Sequence, residues 1–325
     1  MKPFYKTSTA IPHLQRFTLL AITLALNFIY ISAINACELV NNENEKVLVF
    51  PPKSDSLQPE KDYIFQLLKL VLQKSEDKYG PCIAKLHKYK LPLARIELYL
   101  ENNHLLNVVA LTANTLRDER FRPVPIPISK GLMGYRLFII RNDAQEKFNN
   151  VNSLQDLQNF VAGQGIGWPD VDVLNQNNLP VQEAGSIKTL IDMLVHERFD
   201  YFPRGSLQII TELNTYGDKP VQIEKHLVLR YPSLTAFYVN KQNEGLAERL
   251  EYGLNKTIDD GSFDQFFFSH PSSIEAVANL DLKNKTVLQI CNPILPKWVP
   301  INQNKYWLEP WPKDFQNTGC NIKHD

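Results

Sequence analysis

Neither sign of charge is in surplus in this 325-residue sequence: 35 Lys and Arg face 35 Asp and Glu. A general nucleic-acid binder needs a basic excess to offset phosphate, so that class is excluded. No apolar run after residue 36 is long enough to cross a bilayer as a helix. The 4 cysteines show no zinc-knuckle spacing, and of the 7 histidines no two stand three or four residues apart, so no metal site is expected. The sequence also lacks G-x-S-x-G, a Walker loop, H-E-x-x-H and C-x-x-C, which removes the common hydrolase and nucleotide-binding motifs, and no cofactor is implied. Gly163, Gly165 and Gly167 alternate without the G-x-G-x-x-G spacing and read as a turn. There is no internal repeat and no low-complexity linker. What remains is an ordinary globular composition, 44% hydrophobic and 10% aromatic, long enough for two lobes.

The first segment has its own grammar. Lys2, Lys6 and Arg16 precede any acid, an apolar run spans residues 17–31, and small residues lead to Ala36. Residues 1–36 therefore read as a signal peptide, and the remainder as a periplasmic or secreted protein. Removing those three cations leaves 32 basic against 35 acidic groups. Export makes disulfides the expected state of an even cysteine count. The preferred pairing is Cys37 with Cys82 and Cys291 with Cys320, each within one terminal region. The alternative starts from Ile34-Asn-Ala-Cys37, which is similar to a lipobox and would make Cys37 a lipid anchor.

The rest alternates strand and helix signals, the α/β pattern. Strands are expected at 47–50, 82–87, 105–111, 135–140, 199–202, 226–229 and 235–240. Helices are expected at 63–72 behind an Asp62 cap, at 93–100, after Ser153, after Asp170 or Asp172, at 187–195, at 206–213, and at 244–258 before Asp259-Asp-Gly261. Residues 124–128 read as extended edge chain because of their prolines. The tail after Leu280 combines five prolines with Trp298, Trp307 and Trp311. It reads as a strap over the first lobe, pinned by Cys291, and not as a carbohydrate-binding surface.

Three stretches carry a resemblance: Leu111-Thr-Ala-Asn-Thr-Leu-Arg-Asp-Glu-Arg120 with the proline run to Pro127; Ala236-Phe-Tyr-Val-Asn-Lys241 with its following helix; and Arg198-Phe-Asp-Tyr-Phe-Pro-Arg204. In element order they resemble bacterial extracellular solute-binding proteins of family 3, with Gly131-Leu-Met-Gly-Tyr-Arg-Leu-Phe138 and Gly163-Gln-Gly-Ile-Gly-Trp168 pointing to an uncharacterised branch. The resemblance implies an α/β, two-lobed type 2 periplasmic-binding-protein fold with two hinge strands, 135–140 and 236–240. Lobe one would comprise 37–134 and 236–325, and lobe two 135–235. It implies a threonine and an arginine of lobe one that hold a ligand carboxylate, in either of two registers: Thr112 with Arg117, or Thr115 with Arg120. Trp168, Asp170 and Arg204 are expected to line the cleft from lobe two. The sequence departs from the family in its Pro125-Ile-Pro-Ile-Ser-Lys130 segment and in having Gly205 where an aspartate would hold an ammonium group.

The expected function is therefore capture of a small anionic metabolite for uptake or sensing, with no catalysis. A membrane permease or a sensor would be the macromolecular partner. The alternatives are a ligand-sensing or partner-binding module that kept the fold without transport, and an enzyme of unknown type. Two unopposed arginines in one cleft would also repel, favouring an open unliganded state.

Overall fold

The computed structural model describes residues 37–39, 46–52 and 58–312. The expected signal segment 1–36 and Cys320 lie outside the described residues. Along the chain the strands are β1 (Glu38–Leu39), β2 (Lys46–Phe50), β3 (Ile83–Leu86), β4 (Val108–Thr112), β5 (Phe121–Pro123), β6 (Tyr135–Arg141), β7 (Ala162–Gly165), β8 (Val181–Ala184), β9 (Phe202–Gly205), β10 (Val221–Ile223), β11 (Leu227–Arg230), β12 (Thr235–Asn240) and β13 (Thr286–Gln289).

The first lobe is built on β2 with β1 and β3, and on β12 between β4 and β5. In β12, Ala236 to Val239 are fully buried, because the strand has neighbours on both edges. The helix Tyr63–Lys74 starts where Asp62 accepts from the amides of Ile64 and Phe65. Its buried stripe, Phe65, Leu67, Leu68, Val71 and Leu72, packs on the helix Glu244–Asp259, which buries Leu246, Leu250 and Leu254. Cys37 and Cys82 form a disulfide, with Cα atoms 6.1 Å apart, that ties the start of the described chain to the approach to β3. No thiol is then left at Cys37 for a lipid. Cys291 is likewise disulfide-bonded.

The second lobe is centred on β6, which is antiparallel to β9 on one edge and to β10 and β11 on the other. Phe138, Ile139 and Ile140 are fully buried there. The β7–β8 pair joins this sheet through the bridge of Ala162 to Tyr201. Both expected hinge strands lie wholly within one sheet each. The chain passes between the sheets just before them, at 129–134 and 231–234, where Tyr231 N donates to Gly134 O.

Three local expectations need correction. The strand expected at 199–202 begins at Phe202, because its register is set by β6, with Leu137 opposite Arg204. Asp170 and Asp172 do not cap a helix: Trp168 is the cap residue and Pro169 opens the helix Pro169–Gln176, which places both acids in its first turn. Two helices, Ser262–Ser269 and Pro271–Leu280, occupy a stretch for which no element was expected.

The tail is the largest departure. Instead of covering the first lobe alone, it first adds β13 in parallel to the outer edge of β11, in the second sheet. Thr286-Val-Leu-Gln289 has no proline and a β-branched start, and the helices from 244 to 280 supply the crossover that a parallel strand needs. The tail then turns to the first lobe: Ile294 O accepts from Thr115 N, and Trp298 Nε1 donates to Asp118 Oδ2 at 2.6 Å. Burial pushes the Asp118 carboxyl above its usual value despite hydrogen bonds from Trp298 and Tyr238. Trp307 covers Gly131, whose φ of 71° and lack of a Cβ admit the indole. Trp311 lies 4.2 Å from the Arg230 guanidinium. All three tryptophans cover protein surface.

Candidate functional site

A cleft of about 470 Å³ lies between the two lobes. Its first wall comes from the loop after β2, the start of the helix Tyr63–Lys74, the helix Leu93–Glu101 and the end of β4. Its second wall comes from Met133, Arg136, the turn at Trp168, and the helix Ser206–Thr215. Phe50, Tyr63, Leu91, Ile96, Leu111, Trp168, Ile187 and Leu207 make much of the lining apolar.

On the first wall, β4 ends at Thr112 and Asn114 caps the helix Thr115–Arg120 by accepting from Arg117 N at 2.9 Å. The Arg117 side chain folds back over the strand end, where Nη1 donates to Thr112 O at 2.7 Å. Its Nε and Nη2 meet Glu97 Oε1 at 3.1 and 3.0 Å. Thr112 and Arg117 both line the cleft; Thr115 and Arg120 do not. Arg120 projects to the surface, pairing with Glu97 at 2.7 Å and Glu101 at 2.8 Å. Three residues apart, the two side chains share a helix face and both reach Glu97; Arg117 folds back onto Thr112 O, whereas Glu101 holds Arg120 outside.

On the second wall, Arg204 and Trp168 come together with a carboxylate. The Arg204 guanidinium lies 4.5 Å from the Trp168 ring and 4.9 Å from the Phe202 ring. Its Nε and Nη2 form a bidentate pair with Glu212 at 2.7 and 2.5 Å. Trp168 sits over Gly165, where any Cβ would collide with the indole, so the β7 glycine allows that close packing. Gly205 lies beside Met133 and Arg136, and a Cβ there would meet Met133 Sδ at 2.8 Å.

Asp170 lines the cleft but is not free. Its Oδ1 forms an ion pair with Arg136 Nη2 at 2.7 Å and accepts from the Tyr231 hydroxyl, and Tyr231 in turn accepts from Arg136 Nε at 2.7 Å. Burial works to lower the Arg136 pKa, but the negative charge of Asp170 and the Tyr231 hydroxyl outweigh it, and the net direction is up. Burial, reinforced by Asp170, pushes the Tyr231 phenol well above its usual value. Sequence reasoning missed Arg136, Glu97, Glu212 and Tyr231. Arg136 sits in an otherwise apolar strand, and nothing local marks its carboxylate partner.

The two arginines expected to be unopposed each have a carboxylate. Arg117, Arg136 and Arg204 are matched by Glu97, Asp170 and Glu212. The expected mutual repulsion of Arg117 and Arg204 is therefore neutralised at source. Among the described residues no cluster of three or more potential metal ligands occurs, and no helix is long and apolar enough to cross a membrane.

No protein-family model matches the chain, and no curated protein does. Solved structures do match, in fold. The chain has the two-lobed α/β fold of type 2 periplasmic binding proteins. An ancestral arginine-binding protein bound to arginine aligns with a TM-score of 0.51 and 14% identity, over 69% of this chain and 98% of that one. A substrate-binding protein of an amino acid ABC transporter from Streptococcus pneumoniae, bound to L-arginine, gives a TM-score of 0.50 and 14% identity, over 71% and 94% of the two chains. A histidine kinase sensor domain with similarity to periplasmic binding proteins gives 0.52 and 11% identity, over 70% and 96%.

Proposed function

We propose that the protein is an exported solute-binding protein that captures a small acidic metabolite between its lobes, for uptake through a membrane permease or for sensing. The observation that carries this reading is that Thr112, Arg117, Trp168, Asp170 and Arg204, which lie in separate parts of the chain, line one cleft. The Cys37–Cys82 disulfide supports an oxidising compartment and hence export. The first lobe would be 37–134 with most of 236–325, and the second 135–235 with β13 added.

The ligand has one acid group, further acceptors and an apolar body. A guanidinium has five N–H donors. Arg117 gives one to Glu97 and one to Thr112, with its Nη2 in ion-pair contact with Glu97, and Arg204 gives two to Glu212, so both keep donors for a ligand although neither has a free charge. A dianion would have to compete with Glu97 and Glu212; a single carboxylate uses the donors that remain. The apolar lining receives the carbon skeleton. Binding and not turnover is favoured because Asp170 and Glu212, the buried acids of the cleft, are each engaged by an arginine, and the lining carboxylate of Asp62 caps its own helix.

Native mass spectrometry of protein purified from its own host tests this directly. A co-purified small acid, displaced on Arg117→Ala substitution, is the expected result. A ligand without an acidic group, or one retained fully by the variant, refutes the anionic reading.

A further inference from the structure

Two-lobed binding proteins close by turning about a few hinge residues that absorb the φ/ψ change, and relative motion is the default unless packing opposes it. Here the residues that would have to turn are covered. Both crossings between the sheets, 129–134 and 231–234, are buried throughout. On the first, Lys130 Nζ donates to Lys305 O and pairs with Asp264 at 2.6 Å, Lys130 O accepts from Leu308 N, and Trp307 covers Gly131. On the second, Pro232 O accepts from Asn292 Nδ2 at 2.7 Å, and Arg230, just before it, donates to Pro310 O at 3.1 Å. Asn292, Lys305, Trp307, Leu308 and Pro310 all belong to the tail.

The same tail is fastened to both lobes within a few residues. Asn177, which ends the second-lobe helix Pro169–Gln176, makes two side-chain bonds to the Cys291 backbone, at 2.9 and 3.0 Å. Ile294 O takes the amide of Thr115 in the first lobe at 3.2 Å, and Trp298 then reaches Asp118. The tail is thus a third connection between the lobes, laid over the two that precede it in the chain. Turning one lobe on the other would break these bonds, and buried polar groups that lose their partners are costly.

We propose that residues 291–311 are a staple that holds the lobes at one angle whether or not the cleft is filled, so that an occupant is chosen by fit to a space of set width instead of being enclosed by closing lobes. The staple is a property of the empty protein, goes beyond the solute-binding reading and does not depend on it.

Distances between spin labels test it. The labels are attached through azide-bearing noncanonical residues at positions Gln73 of the first lobe and Gln182 of the second, both exposed, so that the cysteines are left alone. The unliganded full mature chain is expected to give a single narrow distance distribution. Thr115→Pro combined with Trp298→Phe frees the tail from the first lobe: Thr115 is the first residue of its helix, where proline is tolerated, and the change removes the amide that Ile294 O holds. Neither residue lines the cleft. This variant is expected to add a population at longer distance. Should it fail to fold, Asn177→Ala, which frees the tail from the second lobe at Cys291, takes its place with the same expectation. A wild-type distribution that is already broad or double, or an unchanged single distance in the folded variant, overturns the staple. Either result leaves the solute-binding reading standing, since that reading is decided by the co-purified ligand.

Discussion

The two walls of the cleft each present an arginine held by a glutamate, yet the pairs differ in how they are held. Arg204 and Glu212 expose 6% and 2% of their side chains and meet through two short bonds beneath Trp168 and Phe202. Arg117 and Glu97 expose 9% and 14%, and Glu97 divides its two oxygens between Arg117 and Arg120. The second-lobe pair is a closed unit sealed by aromatics. The first-lobe pair is an open relay, steadied from behind by the tail and β12: Trp298 and Tyr238 grip Asp118, the residue after Arg117. Closed pairing favours structure, and the more exposed, shared pairing leaves its arginine easier for a guest to reach.

The comparison breaks most visibly if Glu212 is neutralised. Glu212→Gln leaves a buried guanidinium without its charge partner, and removing one side of a buried ion pair typically costs about 3 to 5 kcal/mol. Urea unfolding should show a loss in that range; a loss below about 1 kcal/mol would mean that water reaches Arg204. Arg117→Ala should do the reverse, with modest loss of stability and a drop of roughly tenfold to a hundredfold in affinity for an acidic ligand, the worth of a charge-assisted hydrogen bond. Glu97→Gln sharpens the contrast. It should lower stability by about 1 to 2 kcal/mol through weakened bonds to charged groups, and tighten acid binding because Arg117 regains a net charge. Equal behaviour of the Glu97 and Glu212 variants would erase the distinction between the walls.

How much of this the sequence discloses depends on the range of the interaction involved. Helices with an apolar stripe and a side-chain cap, such as Tyr63–Lys74 behind Asp62 and Ile187–Val195 behind Ser186, are legible because both signals are local. The helix Ser262–Ser269 is not: Phe266, Phe267 and Phe268 form an aromatic run that carries no clear helical period, and Gly261 reads as a stop when it is also the start. β13 escapes because its strand character depends on the free edge of β11, more than fifty residues earlier. The residue types of the cleft were legible, but their charge state was not. Glu97 lies 20 residues before Arg117 and Glu212 eight after Arg204, and only the packing of helix on strand end brings each pair together.

A smaller effect lies at the edge of the first wall. His270 caps the helix Pro271–Leu280 by accepting from Ser272 N at its Nδ1, and Ser272 lines the cleft. Burial lowers the His270 pKa from its ordinary value of 6.5, against the opposing pull of Asp62 and the Lys61 backbone. The unfolded chain then binds the proton more readily than the folded one. Stability is fully present above pH 6.5 and is lost as pH falls through the lower folded value. His270→Asn, a competent cap without a titration, should flatten that part of the melting-temperature profile. An unchanged slope would assign it to another group.

The smallest expected effect tests the two registers directly. Arg120 carries the same charge as Arg117, follows a threonine by the same five residues, and forms more ion-pair contacts, to Glu97 and to both oxygens of Glu101, with Phe121 beneath it at 4.8 Å. Counting bonds would rank it above Arg117. Its side chain is 40% exposed, however, and that of Glu101 is 41% exposed. Water competes for each of those bonds, and exposed pairs typically contribute about 0.2 to 1 kcal/mol. Arg120→Ala should therefore cost less than about 1 kcal/mol, with part of that from lost packing on Phe121. Ligand affinity should be unchanged within a factor of about two, because the side chain faces away from the cleft and Arg117 keeps Nη1 on Thr112 O. A loss of affinity in Arg120→Ala equal to that in Arg117→Ala would mean that Glu97 transmits between them, and that the first wall works as one coupled pair of arginines.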